Sequence, residues 1–264
     1  MKRSLARKIM NLLLGIPVIG CLSCNKDLDL PVVVDIPAAF QISMNENLQP
    51  GQRPLKVELT SLEVLDCTNY SIDYHLDQGS KKIHLTINDW GLNEPCEPGS
   101  GVAKEELNLG FLPDGDYKLL ISLKDVVQND GVLLVRPEHY SIRMETANGI
   151  LVDPGTLNRL PENTIWGGVF PRVDSVQTLG ESFLGGLESI VGPETFSPGI
   201  YSSFEINADG KVILHGIDEK GAGSTFVFHF TGNRADLVDL VEYYRFHGDG
   251  DLMIYVFDED GYIY

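Results

Sequence analysis

The feature that most restricts this chain is a period-two rhythm of apolar residues broken at short intervals by turn residues. Ile83, Leu85 and Ile87 alternate with Lys82, His84 and Thr86, and Val57 and Leu59 alternate with Lys56, Glu58 and Thr60. Such alternation puts one side of a strand in a core and the other in water. The same reading marks strands at Phe40–Met44, Leu55–Thr60, Tyr70–Leu76, Lys82–Ile87, Glu105–Leu109, Tyr117–Leu123, Val132–Val135 and Tyr140–Met144. Gln78-Gly79-Ser80, Pro113-Asp114-Gly115 and Asn129-Asp130-Gly131 punctuate them, and the last is good hairpin chemistry because glycine accepts positive φ at little cost. Pro95 to Gly101 and the surroundings of Trp90 read as loop. Many short strands with regular turns predict a β-sandwich over residues 38–147.

Residues 148–162 hold Asn148-Gly149, Asp153-Pro154-Gly155 and Pro161, and read as a short linker. One continuous domain is the alternative. Beyond it, residues 163–264 predict a smaller α+β domain with an antiparallel sheet and one amphipathic helix. Tyr201–Ile206, the turn Asn207-Ala208-Asp209-Gly210 and Lys211–His215 form a hairpin, followed by strands at Thr225–Phe230 and Met253–Phe257. Asn233 caps a helix from Arg234 to Arg245, with Leu237, Leu240, Val241 and Tyr244 as its apolar stripe and Gly248 as its stop. Thr178 to Val191 is left open between a helix and an irregular lid, because Gly180, Gly185 and Gly186 each weaken a helix by about 1 kcal/mol against alanine. Tyr262–Tyr264 reads as the last strand. The fold class expected is therefore mainly β.

The amino terminus sets the compartment. Lys2, Arg3, Arg7 and Lys8 precede an apolar run from Ile9 to Ile19. A cationic start and about 7–15 apolar residues make a secretory signal, whereas a membrane span needs about 20. Val18-Ile19-Gly20-Cys21 and Leu22-Ser23-Cys24 both resemble the lipobox of bacterial lipoproteins, in which the cysteine follows the cut. Cys24-Asn25-Lys26-Asp27-Leu28-Asp29 is similar to the start of outer-membrane lipoproteins displayed on the cell surface. The resemblance implies a signal peptide over 1–24, lipidation with chains such as palmitate at Cys21 or Cys24, and a tether over 25–37. It places the protein in the cell envelope, lipid-anchored at the outer membrane; an ordinary secreted protein cut near Ser23 is the alternative. Two or more acyl chains give stable anchoring where one is marginal. Further on, Leu112-Pro113-Asp114-Gly115-Asp116-Tyr117-Lys118-Leu119 resembles the turn into a strand of immunoglobulin-like and fibronectin-like domains, which implies a tyrosine hydroxyl bonded back to its loop.

The whole chain carries 20 Lys and Arg against 38 Asp and Glu, a net charge of −18. The leader removes four basic and no acidic residues, so 20 − 4 = 16 basic residues remain against 38 acidic, a net of −22. Such a surface repels nucleic acid, whose binding draws on lysine and arginine. Cys67 and Cys96 remain after the signal. An even pair in an exported chain is expected as a disulfide, with two free thiols as the alternative.

Candidate chemistry is sparse. The acidic turns Asp249-Gly250-Asp251 and Asp258-Glu259-Asp260-Gly261 resemble pieces of calcium loops, which makes Asp249, Asp251, Asp258 and Asp260 weak calcium candidates. They lack the full 1, 3, 5, 6, 12 pattern of a calcium hand, and acids before glycine are ordinary turn chemistry. No cofactor is otherwise expected. His215 and His229 sit on neighbouring candidate strands; a metal would need a third ligand such as Asp218 or Glu219, and solvent-facing sheet histidines are the ordinary alternative. Gly180-Glu181-Ser182-Phe183-Leu184 misses the G-x-S-x-G elbow at its last position. Trp90, Trp166, Tyr243 and Tyr244 are candidates for stacking on a sugar, with core packing as the ordinary alternative.

No catalytic residue is assigned. The expected role is non-enzymatic: binding, adhesion or assembly, with an envelope protein or glycan as partner and the membrane reached through the lipid. One alternative is an envelope hydrolase acting on glycans through paired carboxylates. Another is a structural surface subunit assembling by strand pairing. If the anchor is as expected, replacing Cys21 and Cys24 together by serine moves the protein from the membrane to the soluble fraction; retention in the membrane would refute it.

Overall fold

The computed structural model describes residues 36–124, 126–192, 195–217 and 223–264, and Ile36–Tyr264 form one compact unit. Cys21, Cys24, the signal and nearly all of the tether lie outside the described residues, as do Asp218 and Glu219. The protein is mainly β. Its first strands are β1 (Phe40–Glu46), β2 (Leu55–Ser61), β3 (Leu65–Cys67), β4 (Tyr70–Gly79), β5 (Lys82–Leu92), β6 (Pro98–Gly101), β7 (Lys104–Gly110), β8 (Gly115–Leu123), β9 (Val127–Val135), β10 (His139–Met144), β11 (Ile150–Val152) and β12 (Thr156–Asn158). They form a sheet of order β11-β1-β2-β7 and a sheet of order β12-β10-β9-β8-β5-β4.

The alternation does what the sequence predicts. Phe40, Ile42, Met44, Val57 and Leu59 of one sheet meet Ile83, Leu85, Ile87, Leu119, Ile121 and Leu133 of the other in a single core. Among the described residues two strand pairs are parallel, β1 with β11 and β5 with β8. Parallel neighbours need a long crossover. Between β5 and β8 it runs through β6 and β7, and β7 belongs to the opposite sheet. Tyr117 lies at the start of β8 and its hydroxyl donates to the Pro113 carbonyl at 2.7 Å. Tyr201 repeats the device, donating to the Ser197 carbonyl at 3.0 Å.

Several local expectations are overturned. Within the stretch 148–162, read as a short linker, β11 and β12 form and complete the edges of the two sandwich sheets. Asn129-Asp130-Gly131 is not a turn but the middle of β9; the turn lies at Lys124, which takes positive φ. Asn129 is fully buried and its amide clamps Asn148, donating to the carbonyl at 2.9 Å and accepting from the N–H at 2.7 Å. Gly131 leaves room for the Arg143 carbonyl and Met144 on the neighbouring strand. Trp90 is not in a loop; it stands on β5 with its ring edge-on to Phe40 at 5.5 Å. Part of the expected loop 95–101 is strand β6, paired with β3.

The second half holds β13 (Thr164–Pro171), α1 (Gln177–Glu188), β14 (Gly199–Ile200), β15 (Phe204–Ile206), β16 (Val212–Leu214), β17 (Ser224–His229), α2 (Arg234–Gly248) and β18 (Leu252–Asp258). The antiparallel sheet β17-β13-β18 is a middle layer. On one face Ile165, Val169, Ile254 and Val256 pack against Phe183 and Leu187 of α1 and Leu237 and Val241 of α2. On the other, Trp166 and Phe170 meet Phe204, Ile206, Val212 and Leu214 of the small sheet β14-β15-β16. A strand covered on both sides reads as a continuous apolar run, which is what Thr164-Ile165-Trp166-Gly167-Gly168-Val169-Phe170 is. Gly167 is required there, since a Cβ would collide with the Tyr255 carbonyl oxygen.

The stretch left between helix and lid is the helix α1. Two of its glycines serve close approach: a Cβ on Gly180 would press on Val169 at 3.0 Å, and one on Gly186 on Leu240 at 3.1 Å. Tertiary packing outweighs the propensity they lose. In α2, Asn233 accepts from the Ala235 N–H as a cap should, but the left-handed residue at its end is Asp249 rather than Gly248. The terminal Tyr-Ile-Tyr makes a single bridge, Ile263 to Phe257.

Cys67 and Cys96 form the expected disulfide, joining the β3–β6 region across a separation of 29 residues. In the chain-entropy picture a loop of this length stabilises the fold by roughly 3–4 kcal/mol. Urea unfolding in the presence of reductant is expected to show a loss of that order, and an unchanged midpoint would show that the crosslink contributes nothing.

Candidate functional site

A cleft of about 820 Å³ opens where the end of the sandwich meets the second half. That volume lies within the roughly 300–1,000 Å³ of small-molecule sites. One wall comes from the sandwich: Arg53 before β2, Phe111 before β8, His139 at the start of β10, and Asn158 and Arg159 at and after the end of β12. The other comes from the second half: Glu162, Phe196, Tyr201, Glu259 and Asp260. Phe111 is 73% exposed, while Tyr201 is buried and stacks on Phe204 with ring centroids 4.7 Å apart.

Each wall is set by a buried carboxylate. Glu46, the last residue of β1, is 3% exposed. Its Oε1 accepts from the Tyr140 hydroxyl at 3.2 Å and lies 3.7 Å from Arg159 Nε, while Oε2 accepts from the Leu160 N–H at 3.2 Å. The Glu46 N–H donates to Ser202 Oγ at 2.7 Å. Arg53 donates to the Leu160 carbonyl, and Arg159 also reaches Asp114 at 3.5 Å. Burial pushes the Glu46 carboxyl above the usual range, against the opposing pull of the Leu160 N–H, Arg53, Arg159 and the Tyr140 hydroxyl. Burial and the Glu46 charge push the Tyr140 hydroxyl up in turn, so it stays a phenol and a donor.

On the opposite wall Asp258 is 2% exposed. Its Oδ1 accepts from the N–H groups of Asp260 and Tyr262, both at 3.0 Å. Its Oδ2 accepts from the Tyr264 hydroxyl at 2.5 Å and pairs with Arg234 at 3.2 Å. Arg234 also holds Asp260 at 2.6 Å. The turn carrying Glu259 and Asp260 is thereby held at the cleft, and Glu259 accepts from the Asn163 N–H at 3.1 Å.

The site residues proposed from sequence are not brought together. Asp249 and Asp251 precede β18 and Asp258 and Asp260 follow or end it, so the two turns are separated by about 20 Å of strand. Asp258 is committed to Arg234, Tyr264 and its own turn. Among the described residues no group of three or more His, Cys, Asp or Glu gathers to hold a metal. His215 follows β16 in the small sheet, whereas His229 ends β17, which pairs with β13. Ser182 lies within α1 and donates to the Thr178 carbonyl at 2.8 Å, without the strand–turn–helix of a nucleophile elbow. Trp90, Trp166 and Tyr244 belong to the packing; Tyr244 also donates to the Ser182 carbonyl. Tyr243 is exposed on α2 beside His247 and Phe246.

Sequence reasoning passed over Glu46, Arg53, Phe111 and Arg159. Only Glu46 carried a signal: it continues the inward series Phe40, Ile42, Met44 and so places a carboxylate on a core face. Comparison with family models, curated proteins and solved structures found no match to this chain.

Because the folded-state pKa of Glu46 is raised, the stability due to its protonated form is fully present below the ordinary glutamate pKa of about 4.3 and is lost as pH rises through the raised value. Glu46→Gln escapes that loss, so its melting temperature should gain on the wild type as pH rises above about 4. Glu46→Ala strands Tyr140, the Leu160 N–H and the arginines, and should cost roughly 3 kcal/mol. Thermal melts across pH test both; a Glu46→Gln curve parallel to the wild type would overturn the assignment.

Proposed function

We propose that this is a lipid-anchored binding protein of the cell envelope, tethered through Cys21 or Cys24 at the outer membrane, that holds its ligand in the cleft without altering it. The observation that carries this reading is the cleft itself: rings, amides and charged groups presented from loops on a β-scaffold, with walls held by Glu46 and Asp258. Loops on rigid sheets suit recognition. A binding role is further supported by the engagement of the candidate nucleophiles. The Ser182 hydroxyl is bonded within its helix and both Cys67 and Cys96 are in the disulfide. An immunoglobulin-like kinship of the sandwich has the Tyr117–Pro113 bond in its favour.

A glycan hydrolase remains the second reading, because Glu138, Glu162, Glu259 and Asp260 all line the cleft and a glycosidase needs two carboxyls about 5–10 Å apart. Against it, Asp260 is paired with Arg234 and Glu259 accepts from backbone. Strand-paired assembly has β4 as one of several sheet edges, and there Asp73, Asp77 and a bulge at Asp73/Tyr74 blunt it.

The deciding experiment incubates the detergent-purified full chain with envelope extract. The wild type is expected to retain a component that Phe196→Ala, still folded at the assay temperature although less stable because Phe196 packs on the core of the second half, does not retain, and that component keeps its mass. Release of cleavage products would replace the binding reading by the hydrolase.

A further inference from the structure

Resting on the binding reading, we infer that the ligand of the cleft is a neutral oligosaccharide, stacked on Phe111. The charges of the cleft argue against an ionic ligand of either sign. Its two arginines are already engaged: Arg159 with Glu46, Asp114 and the Arg136 carbonyl, and Arg53 with the Leu160 carbonyl beside Glu46. The wall facing them carries Glu162, Glu259 and Asp260, with Glu138 on the near side. A polyanion meets these carboxylates across the cleft, and the chain as a whole is acidic. A polycation finds the carboxylates of that wall partly committed, Asp260 to Arg234 and Glu259 to the Asn163 N–H. A purely apolar ligand would strip water from this many polar groups without replacing their hydrogen bonds, a penalty that burial of rings does not offset.

A neutral polyol satisfies each of these surfaces. Sugar hydroxyls donate to carboxylates such as Glu138 and Glu162, and accept from amides such as Gln52. The C–H face of a pyranose lies against an aromatic ring, whose face is electron-rich. Phe111 suits that contact. It is a large ring left 73% exposed at the cleft, where the neighbouring Leu112 is buried. Its exposure also means that removing it leaves the core untouched.

The test is calorimetric titration of the detergent-purified full chain with malto-, xylo- and manno-oligosaccharides, with oligogalacturonate as the charged comparator. At least one neutral series is expected to bind, oligogalacturonate to bind at least about tenfold more weakly, and Phe111→Ala to weaken the neutral ligand by about tenfold at an unchanged melting temperature. No binding of any neutral series at millimolar concentration overturns the inference. So does equal affinity for the charged polymer, or indifference to Phe111→Ala. In those cases retention of a protein by the wild type but not by Phe196→Ala leaves the binding reading standing. Shortened sugars in the titration cell would instead remove the binding reading itself.

Discussion

A carboxylate withdrawn from water must be protonated or surrounded by donors, and Glu46 is where the protein meets that demand. Its partners come from distant parts of the chain: Tyr140 on β10, Leu160 beyond β12, the arginines 53 and 159, and Ser202, which holds its backbone. The sandwich and the second half therefore meet at one residue, whose carboxylate gathers Tyr140, Leu160 and Arg159 and whose N–H reaches Ser202. The same Arg53, Arg159 and Leu160 line the cleft. The position of that wall depends on the balance between burial of Glu46 and the donors around it.

The other wall follows the same principle with a different outcome. Asp258 ends β18 and gathers two N–H groups, a tyrosine hydroxyl and an arginine. The donors from Asp260, Tyr262 and Tyr264 lie close to it in sequence, and only Arg234 comes from another element, α2. The turn Glu259–Asp260 is thus pinned to the middle-layer sheet, whose central strand β13 is buried on both faces. Leu160, Arg159, Glu259 and Asp260 are thus held by buried carboxylates, while Phe111 and Phe196 reach the cleft from the loops between elements.

Glycine and asparagine play roles here that turn chemistry does not describe. Asn129-Asp130-Gly131 has the residues of a hairpin turn, yet it runs through β9 because the buried Asn129 clamps Asn148 and Gly131 admits its neighbour strand. Gly180 and Gly186 argue locally against a helix, yet they let α1 lie close to β13 and α2. In each case the local preference is worth about 1 kcal/mol, and a tertiary contact of larger value decides.

Most of the strands, the capped helix α2 and the cysteine pair were legible in the chain, because alternation, caps and an even cysteine count are matters of neighbouring residues and composition. The inward place of Glu46 was legible too, as the fourth member of the series from Phe40. Its meaning was not. Tyr140 lies 94 residues away and Leu160 lies 114 residues away, and nothing in the spacing of either refers to β1. The sequence by itself determined which segments are strands and which of their faces are apolar. Only the tertiary structure decided that β11 and β12 close the sandwich, that 95–101 and Trp90 belong to sheets, and that Phe111, Arg53 and Arg159 meet at one cleft. Strand alternation is enforced by the backbone over a few residues, whereas the meeting of distant side chains is chosen by the packing of whole sheets.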